Sequence, residues 1–203
     1  APAGSPEALR CAVFNGADAV YLGMRRFSAR AKAGNFSRDE LKQAVEFSHF
    51  FGVKVYVTFN TVYKETEYPY VLEDMQFCAS IGVDALILQD FTMISRIRGI
   101  MPDIVLHLST QAGVHNADGA ATAKRLGFDR VILSREAMLE DIYKIRDTVD
   151  IELEMFVQGA LCVSFSGNCY FSSLVSGYSG NRGKCMQLCR KPYTYHSKTA
   201  YWL

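Results

Sequence analysis

Acidic residues are missing from the last quarter of this 203-residue chain. Every Asp and Glu falls at or before Glu154, while residues 155–203 keep five basic ones, Arg182, Lys184, Arg190, Lys191 and Lys198. The first 154 residues carry 21 acidic against 17 basic side chains, so a formal net charge of +1 conceals an acidic body and a basic end. Long apolar runs are also missing: no stretch reaches the roughly 18 consecutive residues that a membrane-crossing helix requires. The opening residues lack the basic start and apolar core of a secretory signal. They also lack Met, as expected of a chain that starts inside a longer product. No strand-like run is followed by G-x-G-x-x-G, which argues against a dinucleotide-binding fold. Neither G-x-S-x-G nor H-E-x-x-H occurs, so the common serine-hydrolase and zinc-peptidase signatures are absent. A reducing, cytoplasmic compartment is expected, where clustered cysteines serve as ligands or redox groups more often than as disulfides.

What the chain does have is a cluster of thiols. Four of its six cysteines, Cys162, Cys169, Cys185 and Cys189, lie close together, with six, fifteen and three residues between them. Five glycines between Phe156 and Gly183 let the backbone reverse tightly enough to bring thiols together. Four thiolates at short, irregular spacings suit an iron–sulfur cluster, 4Fe-4S in type. Zinc is the competing metal, but the paired C-x-x-C arrangement of a zinc ribbon is missing. Disulfides or unliganded thiols are the remaining readings. Cys11 and Cys78, on helices among apolar neighbours, are expected in the core.

The first 154 residues repeat one unit. Apolar strands are expected over 16–23, 52–60, 82–90, 104–108, 127–134 and 151–156, too continuous in hydrophobicity to be half-exposed. Amphipathic helices fall between them, over 39–51, 70–81, 91–100, 116–126 and 136–147, after a first short helix over 6–15. Gly16, Gly52, Gly82 and Gly127 sit where each helix must stop and the chain turn through left-handed backbone. Strands alternating with helices predict a parallel α/β architecture.

The cysteine block carries a resemblance. Glu154, Phe156, Gly159-Ala160-Leu161-Cys162, Gly167, Cys169 and Phe171-Ser172 resemble, in order and spacing, the signature of the peptidase U32 family of collagenase-like proteases. Phe171 departs from the aliphatic residue usual there. Asn181-Arg182-Gly183, Cys185, Gln187 and Cys189-Arg190 are similar to the family's next block, and Ser109-Thr110-Gln111, followed by Asn116, to an earlier one. The resemblance implies an incomplete (β/α)₈ TIM-like barrel over 1–158, with strands two to seven present, and a Cys-rich segment over 159–203 that continues in a longer protein. It also implies cluster ligation by Cys162, Cys169 and Cys185, with Cys189 or a cysteine beyond Leu203 as the fourth ligand.

In such a barrel the chemistry sits at the carboxyl ends of the strands. The candidates there are Glu154, His107 and Gln111 for catalysis and Asn60, Ser109, Thr110 and Arg135 for substrate, joined by Arg182 and Arg190 from the basic end. Each has a plainer reading. His107 suits a hydrogen-bonded core histidine, and Glu154 an interior carboxylate paired with Arg135 or Arg25. The basic end, rich in aromatics (Phe165, Tyr170, Phe171, Tyr178, Tyr193, Tyr195, Tyr201 and Trp202), suits RNA, whose phosphates attract cations and whose bases stack on rings. It also suits a folded loop whose charges offset thiolates.

Three functions stay open. Some relatives similar in the cysteine block serve in hydroxylation of tRNA, of ribosomal RNA or of a ubiquinone precursor, which implies an iron–sulfur enzyme of RNA modification using a small-molecule oxygen donor. The family name implies a peptidase, though the sequence pairs no histidine with a thiol except His196 nearby. A metal-stapled RNA- or partner-binding module is the third.

Overall fold

The computed structural model describes residues 1–165 and 167–194. Six strands form one wholly parallel sheet in the order β1-β2-β3-β4-β5-β6: β1 (Ala19–Gly23), β2 (Lys54–Phe59), β3 (Ala85–Leu88), β4 (Leu106–Leu108), β5 (Arg130–Ile132) and β6 (Glu152–Glu154). Helices precede or separate them: α1 (Pro6–Phe14), α2 (Arg38–Phe50), α3 (Tyr68–Ser80), α4 (Ile94–Ile100), α5 (Ala117–Leu126) and α6 (Leu139–Thr148). A strand order that never reverses is that of a singly wound barrel, since a doubly wound sheet changes direction at a switch point.

The two faces of the sheet agree with this. Val20, Leu22, Val55, Val57, Leu86, Leu88, Leu106, Leu108 and Val131 point outward into one large core with the helices. The opposite face carries a separate small cluster around Tyr56, Ala85, Ile87 and Ile132, the wall of the barrel interior. The chain is thus an open β/α barrel arc, as expected from its repeat. Its β6 side leaves Leu139, Tyr143, Met155 and Val157 exposed.

Local signals set the element ends. Ser5 caps α1, accepting from the Ala8 N–H at 3.3 Å; Ser37 and Glu40 cap α2 reciprocally; and Asn116 caps α5, accepting from Gly119 at 2.9 Å. The carboxylates at two helix–strand junctions do more than cap. Asp84 accepts the Val55 N–H at 2.7 Å and Asp129 the Leu106 N–H at 2.8 Å, each pinning the start of the preceding strand. Two differences from the periodicity have local causes. The segment 91–100 opens as a 3₁₀ turn capped by Asp90 before α4, and α6 starts at Leu139, later than 136. Cys78 is fully buried, but Cys11 is exposed, which corrects its placement in the core: it lies on the outward face of α1, whose buried residues are Leu9 and Val13.

Candidate functional site

The interior of the arc holds a polar layer below the strand ends. The His107 ring stands edge-on to Tyr56, with centroids 4.7 Å apart, and the Arg130 guanidinium lies over the same tyrosine. Arg130 bonds Glu152 at 2.7 Å and Glu154 at 3.1 Å. Glu154 therefore pairs with Arg130, which corrects the expectation of Arg135 or Arg25. Arg25 sits 3.6 Å from Glu40, and Arg135 lies over the Phe156 ring at 4.7 Å. Alternation along β5 explains this: Arg130 points into the interior beside its register partner Glu152, one step from Glu154.

His107 is 2% exposed, its Nδ1 has no partner, and it lines no part of the cavity described below. Burial, and then the charge of Arg130, push its pKa down from 6.5 to about 4. It is a neutral interior histidine and not an acid or base at the strand ends. The unfolded chain binds this proton more readily between pH 6.5 and about 4, so stability is full above that window and lost as pH falls through it. Urea midpoints measured across this range should fall less steeply for His107→Phe than for the unaltered protein. Equal slopes would contradict the assignment.

At the carboxyl ends of the strands lies a cavity of about 270 Å³. Its wall brings together Asn60 just after β2, Thr110 and Gln111 from the turn after β4, Arg135 after β5, Phe156 after β6, and Cys162, Cys169 and Cys185 from the cysteine segment. Asn60 is held by the Ala29 N–H at 2.9 Å, and Thr110 donates to the Leu133 carbonyl at 3.0 Å. Ser109 turns away from the cavity and caps the following 3₁₀ turn by accepting from the Gln111 N–H. The Gln111 Oε1 is buried without a hydrogen-bond partner. Such an acceptor is costly unless a ligand or water meets it. Ser172 of the cysteine block, in α7 (Phe171–Ser176), also lines the wall, as do Ser28 and Asn35, which were not singled out in the sequence. These two lie in the β1–α2 loop, where residue type alone marks nothing.

The cysteine segment is docked on the barrel, and glycines permit the approach. Gly183 rests on the Ser28 backbone, and Gly167 packs against the Gln111 side chain. Arg182 forks onto Glu67, donates to the Val62 carbonyl at 2.9 Å and lies outside the cavity wall. It is a latch for the loop, which corrects its expected role in holding substrate. Glu67 is correspondingly held below the usual carboxylate range by that guanidinium. Arg190 donates to the Leu161 carbonyl at 2.6 Å and lines a wider groove of about 1040 Å³ that lies over the cavity, as do Glu154 and Cys189.

All four thiols of the block are unbonded. Cys162 and Cys185 line both the inner cavity and the groove, Cys169 the cavity alone and Cys189 the groove alone. The Cys169 and Cys185 sulfurs accept backbone N–H groups two residues on, from Phe171 at 3.3 Å and Gln187 at 3.4 Å. Among the described residues no three metal-ligating side chains gather closely enough to hold an ion. The donor set is right for iron–sulfur chemistry, being soft thiols already bonded by amides, but the sulfurs are not drawn to one point. Cys185 and Cys189 do not share a helical turn. Gln187 between them adopts φ +52°, and the turn over Leu188–Arg190 begins after it. Lys198, His196, Tyr195, Tyr201 and Trp202 lie outside the described residues.

A parallel β/α barrel arc whose strand ends are roofed by a cysteine loop defines the class of protein. The chain belongs to peptidase family U32, whose model matches residues 4–201. It is 38% identical over 194 residues to a tRNA hydroxylation protein of Bacillus subtilis, covering 95% of this chain and 46% of that protein. It is 39% identical over 193 residues to a synthase of 5-hydroxycytidine in 23S rRNA from Escherichia coli, covering 95% of this chain and 29% of the other. A collagenase of Porphyromonas gingivalis is 33% identical over 210 residues, covering 98% of this chain and 50% of its own length. The chain thus spans half or less of the length of these curated relatives. A solved U32 peptidase has the same fold, with a TM-score of 0.61 at 19% identity, covering 76% of this chain and 66% of that structure.

Proposed function

We propose that this chain is the barrel and cysteine loop of a cytoplasmic iron–sulfur enzyme that hydroxylates a base of tRNA or ribosomal RNA. The observation that carries the reading is the cavity itself: three thiols, two arginines and an unpartnered amide line one space at the strand ends. Relatives named for RNA hydroxylation support it. Two further features are compatible: no helix among the described residues is long and apolar enough to cross a membrane, and the cysteine segment carries no acid.

Cys162, Cys169 and Cys185 would hold the cluster, with Cys189 or a cysteine elsewhere in the longer protein as the fourth ligand. When bound, the cluster supplies electrons or a Lewis-acidic site for a small-molecule oxygen donor. The chain's own residues do the positioning. Gln111 and Asn60 present amides to the edge of a base, and the docked loop carries Cys162, Cys169 and Cys185 to the cavity wall. Glu154, neutralised by Arg130, sits at the groove edge and is not poised as a free base.

The peptidase reading has a relative behind it but no matching geometry. No hydrogen bond or ion pair among the described residues joins a histidine to a thiol or to a serine hydroxyl; His49 bonds Asp84, and His115 bonds the Gly113 carbonyl and Asn116. The test is anaerobic purification of the full-length protein followed by iron and sulfide assay. Cys162→Ser, Cys169→Ser and Cys185→Ser should each remove most of the iron, Cys78→Ser should remove none, and Cys189→Ser decides the fourth ligand. A colourless, iron-free protein that cleaves gelatin would return the peptidase to the lead. Iron with RNA affinity but no base modification would leave only the stapled binding module.

A further inference from the structure

Several arginines already have a carboxylate: Arg25 has Glu40, Arg26 and Arg38 share Asp74, Arg98 has Asp129, Arg130 has Glu152 and Glu154, and Arg182 has Glu67. Among the described residues Arg30 and Arg135 lie within ion-pair distance of no acid, and each is seated on an aromatic ring; Arg10 and Arg96 are seated likewise, on Phe47 and Tyr68, but line neither the cavity nor the groove. The Arg30 guanidinium lies over Tyr21 at 6.0 Å, and that of Arg135 over Phe156 at 4.7 Å. Both line the inner cavity and also the groove above it, so they stand where the two meet. Lys32 and Arg190 add positive charge to the same groove, and its one carboxylate, Glu154, is taken by Arg130.

A guanidinium held over a ring face keeps N–H groups free for another partner. Its planar fork matches two oxygens of a phosphate. Two such forks at the mouth of a recessed cavity can hold the backbone on either side of one nucleotide. Chemistry on a base inside that cavity requires the base to leave its stack, because the reacting atom of a paired base is out of reach.

We infer that Arg30 and Arg135 form a phosphate clamp, which takes RNA as a single strand along the groove and turns one nucleotide down into the cavity. The inference rests on the RNA reading above and deepens it by naming the form of RNA and the residues that grip it.

The experiment is fluorescence anisotropy of the full-length, anaerobically purified protein with a labelled single-stranded RNA and with its duplex, over a range of KCl concentrations. Single-strand binding should weaken with salt, and Arg30→Gln and Arg135→Gln should each reduce the magnitude of the log–log slope by about 0.7, the value for one phosphate contact on a single strand. The double variant should lose about twice that. Arg135→Lys should restore most of the slope, since it keeps the charge, but less of the affinity, since it loses the fork. Lys42→Gln, an equal charge change on exposed α2, should leave both unchanged. Iron content and melting temperature should match the unaltered protein in every variant. If the unaltered protein binds neither RNA, the underlying RNA reading fails. If it binds and the double variant keeps its slope, the clamp alone is overturned. Duplex bound as tightly as single strand would overturn the claim about the form of the RNA.

Discussion

Gly183→Ala should release the cysteine segment from the barrel, while Gly177→Ala, six residues earlier, should leave it in place. Both glycines have positive φ, +76° and +71°, so alanine meets the same left-handed strain at each, about 1–2 kcal/mol. Their surroundings separate them. A Cβ on Gly177 would meet nothing within 4 Å, whereas one on Gly183 would lie 2.2 Å from the Ser28 carbonyl oxygen. That neighbour is backbone, tied on through Ala29 to Asn60 and through the Ser28 hydroxyl to Thr58, and it cannot swing aside. The loop must therefore move, pulling Arg182 off Glu67 and Cys185 out of the cavity wall. Limited trypsin digestion is the measurement, because Arg182, Lys184 and Arg190 are the sites that open. Cleavage there should be about tenfold or more faster in Gly183→Ala, following the larger population of the opened loop. Far-UV circular dichroism should keep the helical signal of the barrel. Equal digestion of the two variants would mean that the loop is not held at Gly183.

The second large effect is on the barrel itself. Asp74 on α3 has a side chain only 1% exposed, and it accepts from Arg26 in the β1–α2 loop and from Arg38 in the first turn of α2. One carboxylate thus ties three segments. In Arg26→Met/Arg38→Met the stems still cover Phe27, Tyr70 and Phe77, but both cations are gone and the carboxylate stays buried. Breaking a buried pair from one side costs about 3–5 kcal/mol, because a desolvated charge is left without compensation. At roughly 2–4 °C per kcal/mol for a chain of this size, the midpoint of thermal unfolding should fall by about 10 °C. Lys124→Met, which removes the partner of the fully exposed Asp150, should cost no more than about 1 kcal/mol. If the double variant melts within a degree or two of the unaltered protein, the Asp74 network is not a tie.

Where sequence and structure agree, short-range chemistry is responsible. The six strands, the glycines after α1, α2, α3 and α5 and the Ser5, Ser37 and Asn116 caps are written within a few residues of where they act. The thiols could be read as a set because all four fall within 28 consecutive residues of one segment. The strand-end rule put Asn60, Thr110, Gln111 and Arg135 at one end of the sheet, and all four line the cavity there, since parallel strands end on the same side.

The roles of charges and titratable groups were not legible in this way. Arg182 and Arg30 look alike in the sequence, yet one meets Glu67 across 115 residues and the other meets only a tyrosine ring. His107 stands in a polar stretch, but alternation turns it into the interior toward Tyr56, and Glu154 finds Arg130 through the register of two strands. By itself the sequence determined the repeat, the order of strands and helices and the family's cysteine block, because periodicity, caps and turns act locally along the chain. The tertiary structure alone decided which cations are already neutralised and which stay open to a ligand, because an ion pair depends on what the folded barrel brings within about 4 Å, not on spacing in the chain.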